Sequence, residues 1–135
     1  MPFKALLFLA RKPDLTPTQF RAHYETVHVP LIKRLAGSDF PLSHRRMYLA
    51  RLEGKDDTYP AVVLAGTQED FDFDCVTELT FVDEDAFKTF FGRRMEAGIK
   101  EAVDRDEGEF LDAGRLKLVV LGGVEETISE GEGAQ

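Results

Sequence analysis

The stretch Thr16-Pro17-Thr18-Gln19-Phe20-Arg21-Ala22-His23-Tyr24-Glu25-Thr26-Val27-His28-Val29-Pro30 decides how this 135-residue chain is read. Thr16 is a good N-cap, and Gln19, three residues on, completes a capping box. Pro17 falls on the first helical position, where its missing N–H costs nothing. Leu15 and Phe20 are placed to close a hydrophobic staple across the cap. These signals predict a helix starting at 17. Helical neighbours lie three and four residues apart, so Phe20, Tyr24, Val27, His28 and Leu31 share one face, with His23 at its margin. Pro30 is expected to end or kink the helix near His28. A short continuation through Leu31, Ile32 and Leu35 stops at Gly37. Two histidines and a tyrosine thus lie on a helix whose apolar stripe faces a core.

Outward from this helix the chain alternates strands and helices. An apolar run from Phe3 to Arg11 reads as a strand, closed by the turn Lys12-Pro13-Asp14. After the helix, Ser43 to Leu52 alternates Arg45, Met47 and Leu49 with His44, Arg46, Tyr48 and Ala50, the period of a strand. Ala61 to Ala65 is apolar but short, and reads as either a strand or a loop. Phe73 to Val82 alternates again. Asp83 caps a second helix whose inner face carries Phe87, Phe90, Phe91, Arg94 and Met95. Ile99 to Asp106 is a further helical piece with a Glu101–Arg105 pair. Arg115 to Leu121 is the last strand, and the acidic, glycine-rich segment 122–135 is expected to be a flexible tail. The order β-α-β, β-α-β is the split βαβ, or ferredoxin-like, plan: an α+β fold with two helices on one face of a four-stranded antiparallel sheet. The other face is left bare with apolar residues on it, which predicts a homodimer with two sheets packed face to face.

Composition narrows the function. Hydrophobic residues make up 43% of the chain and charged residues 31%, as in a soluble globular protein. A formal charge of −8 opposes contact with nucleic-acid phosphates or an anionic membrane. The single cysteine, Cys75, allows no intrachain disulfide and fits a reducing compartment. Phe3 to Ala10 lacks the flanks of a signal peptide, and no run is long enough to span a membrane, so a cytoplasmic protein is expected. There is no glycine-rich phosphate loop and no Gly-x-Ser-x-Gly elbow. His23 and His28 do not have zinc spacing, because five residues of α-helix turn the second ring about 140° from the first.

Phe20-x-x-His23-Tyr24-x-x-x-His28-x-Pro30, near the start of a small β-α-β-β-α-β chain, resembles the EthD family of dimeric α+β barrels. Asp74 to Phe81, leading into a phenylalanine-bearing helix, and the segment 106–112 before the last strand fit the same pattern. The likeness covers roughly residues 3 to 121, and places a single barrel domain at 1–121. Two departures stand out: Tyr24 lies where tryptophan is common, and Gly108 sits within what is usually a continuous helical stretch, which bears on the length of that helix. The resemblance implies cofactor-free chemistry on small aromatic or polyketide-derived molecules. The branch it resembles holds fungal decarboxylases, cyclases and dehydratases of polyketide pathways.

His28 is the leading candidate for catalysis, since a free imidazole titrates near ~6.5; the plainer alternative is a histidine bonded to main chain near Pro30. Tyr24 either offers its hydroxyl to a substrate oxygen or packs with its tip wet. His23 is expected to be solvated. His44, Arg46 and Tyr48 share one strand face. If that face looks to the helices they surround a cavity; if it looks to a partner they form an interface, and a one-residue slip in register exchanges the two. Arg46 suits a carboxylate clamp, or else a salt bridge. Phe20, Phe87 and Phe91 are expected to line the pocket beside His44, Tyr48 and Glu78. Asp74 and Glu78, roughly 13 Å apart along one strand face, are too distant to share a proton, but either can orient a histidine or pair with Arg46. Cys75 reads as a small buried hydrophobe, and Asp106 and Asp112 as caps or surface charges.

The reading is a cofactor-independent, metal-free enzyme in which His28, Tyr24 and Arg46 act on a small hydrophobic substrate by general acid and base chemistry: decarboxylation, cyclisation or dehydration. Two alternatives stand beside it. One is a module that binds a small hydrophobic ligand without turnover. The other is a haem-dependent monooxygenase of the same architecture, with His28 as axial ligand.

Overall fold

In the computed structural model, residues 2–130 are described. Strands β1 (Phe3–Leu9), β2 (Ser43–Tyr48), β3 (Cys75–Phe81) and β4 (Lys117–Val120) form one sheet in the order β2-β3-β1-β4. Every pairing is antiparallel. This is the ferredoxin-like α+β arrangement: β1 and β3, the most buried strands, take the centre. The expected acidic tail has no regular structure from Gly122 to Glu130, and 131–135 lie outside the described residues. Ala61 makes an isolated bridge to Arg51 and the rest of 61–65 is loop, so no fifth strand joins the sheet.

The helical layer differs from expectation. Three helical segments, not two, cover the sheet: a long one over 17–36, then α3 (Glu84–Arg94) and α4 (Ala97–Phe110). Gly108 does not interrupt α4. The capping box at the start of the first segment is formed, with Gln19 N–H donating to Thr16 Oγ1 at 3.1 Å and Thr16 N–H to Gln19 Oε1 at 2.9 Å. Pro30 does not end this segment. Instead α1 (Pro17–His23) passes through a π-helical turn (Tyr24–His28) into α2 (Val29–Ala36). A proline inside a helix lacks the N–H for its own bond and presses its ring on the carbonyl one turn back. Widening the preceding turn relieves that pressure: Val29 N–H reaches back to Tyr24 O, one residue further than in an α-helix. The turn also re-aims the side chains that follow. Val27, expected to face inward, is 44% exposed, while Tyr24, His28 and Ala36 are buried.

Register settles the strand faces. His44 pairs with Leu79, Arg46 with Thr77 and Tyr48 with Cys75. Directly paired residues point to the same side of the sheet, so His44, Arg46 and Tyr48 look toward the helices. Glu78 pairs with Leu6 and Arg45 and looks the other way, where Lys4 lies 3.8 Å from it. That open face also carries the half-buried Leu6, Phe8, Met47 and Val76. Under the helices the core divides into two clusters. One gathers Leu9, Phe20, Tyr24, Cys75, Phe110 and Leu111; the other gathers Ala36, Leu79, Phe81 and Phe90. Phe110 is wholly buried and its ring meets those of Phe20, Tyr24, His23 and His28.

Phe110→Ala removes that shared ring and is expected to cost about 3–5 kcal/mol, against about 1 kcal/mol for loss of the helix cap in Thr16→Ala. Urea unfolding of the two variants measures both.

Candidate active site

Where the two core clusters meet, a cavity of about 260 Å³ opens between sheet and helices. Its walls are apolar, with Leu7 and Leu79 from the sheet and Ile32, Phe90, Phe91 and Val103 from the helices. Tyr24, His28, His44, Arg94 and Glu107 bring polar groups to it.

His28 Nδ1 lies 2.8 Å from Asp106 Oδ2, and His23 Nε2 lies 2.8 Å from Asp106 Oδ1. The π turn makes this possible. Five residues of α-helix set the two rings on different faces, but one i→i+5 turn brings positions 23 and 28 to the same side. A carboxylate only accepts hydrogen bonds, so His28 Nδ1 carries the proton. Its Nε2 is then a lone-pair acceptor with no partner among the described residues.

His44 is held the opposite way. Arg46 donates from Nη1 to His44 Nδ1 at 2.8 Å and to the His44 carbonyl at 2.8 Å. A guanidinium only donates, so His44 Nδ1 is the acceptor and the proton sits on Nε2. Arg46 is itself closed on Glu25, with Nε to Oε2 at 2.6 Å and Nη2 to Oε1 at 3.1 Å. The Tyr48 hydroxyl donates to the same carboxylate. Two imidazoles therefore border one cavity in opposite tautomers, one offering an acceptor and the other a donor.

Electrostatics favour the neutral form of both rings. Burial pushes His28 below its ordinary value, with the Asp106 hydrogen bond opposing. Burial, aided by the Arg46 charge, pushes His44 down to about 4. Burial holds the Tyr24 and Tyr48 hydroxyls well above the usual phenol range, and pushes the Cys75 thiol up to about 11. Tyr24 OH lies 2.7 Å from Thr77 Oγ1. Desolvation raises the Glu107 carboxyl, with Arg94 opposing.

A model of the EthD domain matches residues 12–114. The chain belongs to the EthD family. Among solved structures it resembles an ethyl tert-butyl ether D (EthD) family protein from Bacillus halodurans. That match has 17% identity and a TM-score of 0.52, and covers 90% of this chain and 99% of the other. It also resembles a dimeric ferredoxin-like protein of unknown function from Thermobifida fusca. There the identity is 13% and the TM-score 0.49, with 90% of each chain covered. No curated protein matches. At such identities the likeness to solved structures bears on fold alone.

Within this EthD domain the expected site residues part company. Tyr24, His28, His44 and Phe91 lie on the cavity wall. Phe20 is 1% exposed and packs behind the wall, between Tyr24, Tyr48 and Phe110. Phe87 packs at tilted or edge-on angles against Phe3, Phe81 and Phe91 in the neighbouring cluster. Arg46 and Tyr48 sit behind His44 with their polar ends committed to Glu25. Glu78 is on the far side of the sheet. Asp106 corrects the surface-charge expectation, because its side chain is 12% exposed and joins two imidazoles. His23 is likewise no free surface group: it is bonded to Asp106 and stacked on Phe110 at 4.7 Å. Asp106 was findable, since it lies three residues after Val103 and four before Phe110, both buried on α4. Glu25, Arg94 and Glu107 carried no comparable signal. Among the described residues no group of three or more His, Cys, Asp and Glu side chains is placed to hold a metal ion, and no helix is long and apolar enough to cross a membrane.

The His44 shift has a thermodynamic sign. Its folded value near 4 lies below the ordinary 6.5, so in that window the unfolded chain binds more protons and stability rises with pH. Acidification from pH 6.5 toward 4 is expected to lower the unfolding free energy, less so in His44→Gln; urea unfolding across that range checks it. Imidazole ¹⁵N NMR at neutral pH is expected to show His28 protonated at Nδ1 and His44 at Nε2, and a shared tautomer refutes the assignment.

Proposed function

We propose that this EthD-family protein is a cofactor-independent enzyme that moves a proton on a small aromatic or polyketide-derived compound, as in the polyketide-tailoring branch its sequence resembles. The observation that carries the reading is the pairing of His28 with Asp106 at 2.8 Å, with the other ring nitrogen left to the cavity. His28 Nε2 takes a proton from a carbon beside a carbonyl. The C–H bonding pair moves toward the carbonyl oxygen, giving an enolate, and Asp106 stabilises the imidazolium that forms. His44 Nε2–H donates to the oxygen where this charge develops; a neutral imidazole kept neutral by its surroundings is suited to that role. In a cyclisation the enolate carbon attacks a second carbonyl of the same molecule, the π pair of that C=O passes to its oxygen, and His28 returns the proton there; in a dehydration the enolate pair expels a hydroxyl from the next carbon, and His28 gives that oxygen the proton with which it leaves as water.

Decarboxylation fits the residues less well, because its carboxylate clamp, Arg46, is already closed on Glu25. A haem macrocycle is far larger than a two-ring aromatic, and the cavity of about 260 Å³ lies below the range of about 300–1,000 Å³ that drug-sized ligands already require. The homodimer belongs to this reading: a second copy would cover Leu6, Phe8, Met47 and Val76 on the open face.

The test needs no knowledge of the native substrate. With 2-tetralone in deuterated buffer, proton NMR is expected to show protein-catalysed exchange beside the carbonyl. His28→Ala should lower that exchange by a factor on the order of 10²–10⁴. Because the base must be unprotonated and burial lowers its value from 6.5, the rate should rise with pH on the acid side and level off by neutrality. Exchange that is indifferent to His28 would remove the imidazole from the chemistry.

A further inference from the structure

We infer that the cavity takes an uncharged compound of one or two fused rings bearing two oxygen functions, rather than a three-ring polyketide or an aromatic carboxylate. This rests on the reading of the cavity as the reaction chamber, and adds to it the size, charge and polar pattern of the occupant.

Size comes from the walls. A cavity of about 150 Å³ holds a single benzene ring, and drug-sized ligands begin near 300 Å³. At about 260 Å³ there is room for two fused rings with short substituents. Leu79 at the sheet and Val103 on α4, each 1% exposed, bound two sides of the space with side chains that close packing keeps in place, so a third ring extends beyond the enclosed volume and gains less from burial.

Charge comes from pairing. The charged residues on the wall are Arg94 and Glu107. Arg94 Nη2 already donates to Glu107 Oε1 at 3.2 Å and to Asp104 Oδ1 at 2.6 Å, and Lys100 Nζ donates to Asp104 Oδ2 at 2.6 Å, so each cation here is already matched by a carboxylate. Both cavity imidazoles are held neutral, and Arg46 is neutralised by Glu25. A carboxylate entering here sheds its water and finds no unshared cation; the chain's charge of −8 also opposes its approach.

Polar pattern comes from unmet bonds. His44 Nε2–H needs an acceptor, which a carbonyl supplies. Arg94 Nη1 is buried without an acceptor just behind the cavity wall; a buried donor left unpaired calls for a partner, and a small turn of the guanidinium brings it to one in the cavity. A ligand hydroxyl or second carbonyl meets that need without adding a third negative charge beside Asp104 and Glu107.

Isothermal titration calorimetry on the full chain decides the matter with four probes: 2-acetylnaphthalene, its 6-hydroxy derivative, 2-acetylanthracene and 2-naphthoate. Both two-ring ketones are expected to bind, the hydroxylated one more tightly, with the three-ring ketone and naphthoate weaker by at least about tenfold. Arg94→Met should erase the gain from the hydroxyl, so that the two ketones bind the variant equally well. Leu79→Phe should abolish binding by filling the space; should that variant misfold, the ordering on the wild-type chain still decides. Naphthoate or the anthracene ketone binding as well as 2-acetylnaphthalene, or failure of both two-ring ketones to bind, overturns the inference. These titrations read binding alone, so a wrong ordering leaves His28-dependent exchange standing, and absent exchange leaves the ordering standing.

Discussion

Asp106 is the constraint on which the candidate site depends. Its carboxylate receives His23 from one side and His28 from the other, each at 2.8 Å. Three groups that are costly to bury satisfy one another in this way. The arrangement ties the middle of the long first helical segment to α4, beneath the Phe110 ring that touches both imidazoles. It also fixes which nitrogen of His28 is free. Position and tautomer of the leading candidate base therefore follow from one ion-pair-like contact.

That contact exists because of a backbone irregularity. Pro30 is tolerated inside the helix only where the turn before it widens, and the wider turn rotates His28 into register with His23. The same residue type that usually ends a helix here re-aims a side chain. Bulges of this kind often occur at functional sites, and the reason is visible in this chain: an extra residue in one turn permits an i,i+5 pair that a regular helix forbids.

The second imidazole depends on an equally indirect device. Glu25, one residue beyond Tyr24, anchors Arg46 and Tyr48, and Arg46 in turn sets His44. A carboxylate behind one ring and a guanidinium behind the other give two chemically identical side chains opposite roles. Neither role resides in histidine itself; each is imposed from the next layer out. This is why Arg46 and Tyr48, attractive as direct actors, serve as positioning residues in this geometry.

The order of elements, the capped helix at Thr16, the central apolar strands and the inward face carrying Tyr24 and His28 were legible in the sequence, because they rest on local periodicity and cap chemistry. Sequence also placed His44, Arg46 and Tyr48 on one face without saying which, since a single residue of register exchanges the faces and only pairing with β3 settles it. Glu78 went to the far side of the sheet for the same reason. The meeting of Asp106 with His23 and His28 lay beyond any local rule: it spans 83 and 78 residues of chain. Local sequence dictates which segments become helix or strand. The tertiary structure alone decides which charges stand behind the two imidazoles, because partners so distant in the chain meet only after the sheet has been paired and the helices laid upon it.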